Sequence, residues 1–198
     1  MGAELNSTVI ALNVKNNADQ NRPELSNFTA CSGICRPLIR ILDQNKPLSK
    51  RFFELANRLN KFFSISKAVL VLSDNDDALK MMAVWEHARL REGVMLTIPP
   101  KNSLLHRAKG MRLIINRSIA EDFPPEYRGN FIESNILFDE STSSLAICPL
   151  FSEDVLSGVA CLSSPAPFAF ELIEKGYFDD IFGRLGEILA EENESIFI

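Results

Sequence analysis

The chain has 198 residues, 46% hydrophobic and 24% charged, which is enough for one globular domain with a substantial apolar core. Its net charge of −5 and pI near 5.2 exclude the overall lysine and arginine excess of a nucleic-acid-binding surface. No basic segment precedes the short apolar patch at 9–14, and no apolar run nears the roughly 18 residues of a membrane span, so no membrane partner and a cytoplasmic location are expected.

Residues 1–28 are rich in asparagine and other polar side chains and are expected to be a mobile arm, with a single domain over 29–198 and its core at about 48–192. Cys31 and Cys35 have C-x3-C spacing, which suits a redox pair or half of a metal site. Zinc wants four ligands, and the two histidines, His87 and His106, are both distant in sequence, so no metal is expected. "RPLIRILDQ" reads as a short helix with Pro37 in its first turn. After Pro47, Leu48, Phe52, Leu55, Leu59 and Phe62 recur in steps of three and four and make one apolar stripe on a helix. Seven basic side chains between Arg36 and Lys61 read as a solvated face, with a docking patch as the alternative.

Strand candidates follow at 67–74, 79–87 and 93–99, the last two joined by the charged "ARLRE". Strict alternation places Met81, Ala83, Trp85 and His87 on one face of the second. Residues 102–110 form a short helix between a cap at Asn102 or Ser103 and a stop at Gly110, and 111–118 form another strand. Two apolar runs then flank an acidic turn in "SSLAICPLFSEDVLSGVACLSS", residues 143–164, a hairpin with Cys148 and Cys161 as buried free thiols. Pro149 is expected to end the ladder of its first strand, and Gly158 to admit a close neighbour to the second. A last helix carries Phe178, Ile181, Phe182, Leu185, Ile188 and Leu189 in one stripe, with glycines that permit close packing. Strands in succession between terminal helices give an α+β fold: a central antiparallel sheet of five or six strands, with the N- and C-terminal helices packed on one face.

The ordered series Ser144, Cys148-Pro149-Leu150, Gly158-Val159, Ser163-Ser164 and Phe170 resembles the closing segment of GAF domains. "SLLHRAKG" followed by "MRLIIN" resembles that family's short helix, glycine and next strand. The resemblance implies a pocket on the sheet face away from the terminal helices, roofed by short helices and loops, and a sensory or regulatory role. It also narrows the ligand. Ser163-Ser164 stands where cyclic-nucleotide-binding members have Asn-Lys, and residues 99–142 lack the cysteine that covalent bilin attachment or methionine sulfoxide reduction would use.

No phosphate loop, HExxH or GxSxG motif is present, so neither an enzyme nor a cofactor is expected. His106 and Arg107 suit a ligand anion if the short helix points inward, and otherwise form a surface pair. Trp85 and His87, with Cys148 on the hairpin, complete the candidate ligand contacts; a core tryptophan beside an edge histidine is the alternative for the first two. The expected function is a non-catalytic sensory or regulatory module. It would bind a small molecule, signal through a protein partner, or do both, and form a homodimer through the helices around 47–63 and 171–192. The alternative is a pure interaction module with a vestigial pocket.

Overall fold

The computed structural model describes residues 10–11, 28–74, 78–116 and 129–196. Among these the chain runs through β1 (Ile10–Ala11), α1 (Phe28–Leu42), α2 (Leu48–Phe63), β2 (Lys67–Ser73), β3 (Leu79–Glu86), β4 (Arg89–Ile98) and α3 (Leu104–Arg107). A 3-10 turn at Ala108–Gly110 leads into β5 (Leu113–Asn116), α4 (Phe131–Leu137), β6 (Ser144–Ser152), β7 (Val155–Ser164), α5 (Glu171–Glu174) and α6 (Asp179–Ile196). One sheet takes the order β1-β5-β6-β7-β2-β3-β4, antiparallel throughout except for the two-residue β1, which pairs parallel to β5. The expected arm at 1–28 lies outside the described residues apart from Ile10, Ala11 and Phe28, and the first two join this sheet edge.

The central strands are apolar on both sides because both sides are covered. Ala68, Leu70, Ala146, Cys148, Ala160 and Leu162 face α1, α2 and α6. Their neighbours Val69, Val71, Leu145, Ile147, Val159 and Cys161 face α3 and α4. This is the expected α+β arrangement, with the terminal helices on one face and the short helices on the other. Cys35, Cys148 and Cys161 are buried free thiols, and the last two lie on opposite sides of the sheet.

Backbone detail departs from simple periodicity in several places. Pro37 lies in the middle of α1, not its first turn. One intrahelical hydrogen bond is lost there, and burial of Cys35, Leu38, Ile41 and Leu42 against the rest of the layer holds the helix together. The α2 stripe ends on Phe63, which stacks edge-on to Phe178, whereas Phe62 is 46% exposed. The charged "ARLRE" is not a connection: its last four residues begin β4, and the turn is His87-Ala88, both at positive φ, the two-residue hairpin geometry. β6 continues through Pro149 to Ser152; its ladder to β5 ends at Ile147, so the proline sits where that edge is open. The final helix is interrupted after α5 by Gly176, whose φ of +80° glycine adopts freely.

Two glycines permit close approaches, one between neighbouring strands and one between layers. A Cβ on Gly158 would lie 2.3 Å from the Val71 carbonyl oxygen, and one on Gly186 the same distance from that of Phe151, so α6 sits directly on the backbone of β6. The apolar stripes that motivated a homodimer are buried within one chain. Leu55, Leu59 and Phe182 are 1%, 2% and 4% exposed, covered by the sheet and by α1, so this argument for pairing two copies falls.

Candidate functional site

The α3–α4 side of the sheet is the candidate site, and its roof is organised around one carboxylate. Asn130 and Glu133 form a capping box at the start of α4, a signal present in the sequence as N-x-x-E before an apolar run. Glu133 is fully buried and does more than cap its own helix. Its Oε1 accepts from the Ser103 hydroxyl at 2.5 Å and the Leu105 amide at 2.9 Å. Its Oε2 accepts from the amides of Leu104 at 2.9 Å and Asn130 at 3.0 Å. The carboxylate thereby clasps α4 to the first turn of α3. Gly129, at φ +74°, leaves room for it: a Cβ there would meet Glu133 Oε2 at 2.1 Å.

The other end of α4 is held by a buried lysine. Lys67 Nζ donates to the carbonyls of Phe138 at 2.6 Å and Asn135 at 3.2 Å, and pairs with Glu86 at 3.3 Å. The Ser163 hydroxyl donates to the Leu137 carbonyl. Next to it, Asp139 accepts from Ser141 and Thr142; burial pushes its carboxyl up, but the hydroxyls of Ser141, Ser66 and Thr142 outweigh this and hold it below the usual range. Beneath this polar frame, Leu104, Leu105, Ala108, Leu137 and Phe138 meet the apolar sheet face. The site is an apolar interior closed by satisfied polar fastenings at both ends of one short helix.

The residues expected to contact a ligand do not converge here. Trp85 lies on the opposite side, its Nε1 donating to Asn57 Oδ1 of α2 at 3.2 Å. The reason is a β-bulge. Val71 pairs with Met81 but Leu70 with Ala83, so Met82 is an extra residue and the alternation flips between Met81 and Trp85. Cys148 also faces the terminal helices, where burial pushes its thiol up to about 12 against the pull of the Arg112 guanidinium. Cys161 faces the roof, and burial raises its thiol as well. His87 is an exposed turn residue. His106 and Arg107 are on α3 as expected, but His106 Nε2 is 3.0 Å from the Ile98 carbonyl and Arg107 is exposed. Glu133 and Lys67 carry the site, and neither was among the candidates. Among the described residues, no cluster of His, Cys, Asp or Glu could hold a metal ion, and no helix is long and apolar enough to cross a membrane.

The sheet, seven-stranded among the described residues, with terminal helices on one face and a short-helix roof on the other, matches GAF domain structures over most of the chain. The chain has the GAF fold. The GAF domain of a phosphoenolpyruvate-protein phosphotransferase from Coxiella burnetii is 15% identical with a TM-score of 0.65, covering 87% of this chain and 100% of that one. The corresponding Acinetobacter domain is 12% identical with a TM-score of 0.62, covering 82% and 94%. The free methionine-R-sulfoxide reductase of Neisseria meningitidis, in complex with its substrate, is 17% identical with a TM-score of 0.59, covering 84% and 91%. That likeness overturns the expectation of a protein that is not an enzyme, because the GAF architecture is shared with reductases. No protein-family model and no curated protein sequence matches the chain.

Proposed function

We propose that the chain is a sensory or regulatory module of GAF type, taking up a small, largely apolar molecule on the α3–α4 side of its sheet and signalling to a protein partner. The observation that carries this reading is the Glu133 clasp: α4 is tied to α3 by hydrogen bonds from one carboxylate over an apolar face. Such a clasp can exchange partners, and the apolar face beneath it supplies binding surface to a molecule that enters. Buried free thiols on both sides of the sheet support a reducing compartment, and so a cytoplasmic setting.

A second reading, an interaction module with a vestigial pocket, draws on the same face: Leu104, Leu105, Leu145 and Ile147 are fully buried by one another and by the sheet. Native mass spectrometry of the purified protein separates the two. The first reading expects a species heavier than the 22.2 kDa chain, reverting to the bare mass on denaturation. The bare mass alone, with no metabolite raising the melting temperature, would leave the second.

A further inference from the structure

The outer surface of the helical layer is divided by charge. Residues 36–61 hold seven basic and two acidic side chains, a formal +5 within a chain of −5. The fold turns most of that charge outward. Arg36 and Arg40 lie one turn apart on the exposed ridge of α1, and Lys50, Arg58 and Lys61 on the exposed face of the adjoining α2. Arg51 turns inward to the Leu42 carbonyl and Glu192, and Lys46 pairs with Glu54. For the other five, no ion pair is present among the described residues.

The ridge of α6 beside them is acidic, with Asp180, Glu187 and Glu191 exposed. Its cation, Arg184, bonds Asp43 at 2.8 Å and Glu187 at 2.9 Å.

We infer that the α1–α2 face docks an acidic, helical segment of a partner protein. This deepens the partner half of the proposed function and rests on it. The occupant follows from the way charge is divided between the neighbouring helices of this layer. A flat anionic surface such as a membrane, laid on this layer, would also meet the acidic ridge of α6. A helix, about 10–12 Å across with its side chains, is narrow enough to lie along α1 and α2 without covering α6. A second copy is the poorer match, because its acidic ridge is already partly neutralised by Arg184 and, among the described residues of the face, Phe62 alone is a large exposed apolar side chain. Stable homodimer interfaces are more apolar than this. The contact expected is weak, fast and salt-dependent.

The test uses the whole chain and a fluorescein-labelled peptide of about 16 residues with glutamate at every fourth position, long enough as a helix to run the length of α2. Fluorescence anisotropy should report binding at about 0.05 M salt that weakens at least tenfold at about 0.5 M. Arg36→Glu with Arg40→Glu, and separately Lys50→Glu with Arg58→Glu, should each weaken it about tenfold or more, all four positions being exposed and the fold therefore retained. Arg89→Glu with Arg91→Glu on β4 should leave it unchanged. Four results would overturn the inference: no binding at low salt, an equal loss from the β4 pair, tighter binding to vesicles with about one-third anionic lipid, or a concentration-dependent dimer that the α1 pair dissociates. None of these bears on the mass-spectrometric test of the small-molecule side.

Discussion

Removing the Glu133 carboxylate leaves the Ser103 hydroxyl and the amides of Leu104 and Leu105 without their acceptor in a position water does not reach. An orphaned buried donor costs about 1–3 kcal/mol, so Glu133→Ala is expected to destabilise the chain by roughly 3–5 kcal/mol. Glu133→Gln keeps one acceptor but turns an amide N–H₂ toward donors, so it should lose nearly as much. Urea unfolding gives the size of the loss, and hydrogen exchange gives its place: Leu104 and Leu105 amides should exchange faster before the rest of the sheet does. An unchanged midpoint in both variants would show that the clasp contributes nothing. Half of this arrangement is written locally, since Asn130 and Glu133 have the spacing of a capping box. The other half, the reach to α3 some thirty residues earlier, is a tertiary contact that no local pattern encodes.

Elements with a clean period are those the sequence discloses. The stripe from Phe178 to Leu189 is buried as its spacing requires, and so is the hairpin of β6 and β7, because each is set by repetition of one apolar pattern. Periodicity fails where a single residue breaks the count. Met82 is such a residue, and the bulge it makes carries Trp85 from the roofed face to the helical one. Glycines in α6 give a matched test of how far local rules extend. Gly183 has open space around its absent side chain, so Gly183→Ala should stabilise the helix by roughly 0.5–1 kcal/mol. Gly186 is the same residue in the same helix, but its Cβ would lie 2.3 Å from the Phe151 carbonyl oxygen. Gly186→Ala should therefore destabilise by roughly 1–3 kcal/mol, the usual range for overpacking, with thermal melts distinguishing the signs. If both alanines raised the melting temperature, the close seating of α6 on β6 would be wrong.

At the scale of the whole molecule, the sheet separates two layers that are held differently. On one side Phe63, Phe170 and Phe178 and the stripes of α2 and α6 make a continuous apolar layer with α1. On the other, α4 is attached through Glu133 at one end and Lys67 at the other. The roof should thus open at lower free energy than the helical layer, and each layer has its own reporter: Cys161 faces the roof and Cys148 the helices, both 1% exposed. Burial holds both thiols protonated well above neutral pH, so at about pH 8 a thiol reagent attacks either one only after its layer opens. In variants keeping a single one of these cysteines, with the others replaced by alanine, Cys161 should react at least about tenfold faster than Cys148 in the absence of denaturant, a difference of about 1.4 kcal/mol in opening free energy. Its rate should depend weakly on urea, as a local opening does, while that of Cys148 should follow global unfolding. Glu133→Gln should speed the first and leave the ratio of the second to global unfolding untouched. Equal rates with equal urea dependence would mean that both layers open only together, and a roof that cannot open alone could not admit a ligand to a folded domain.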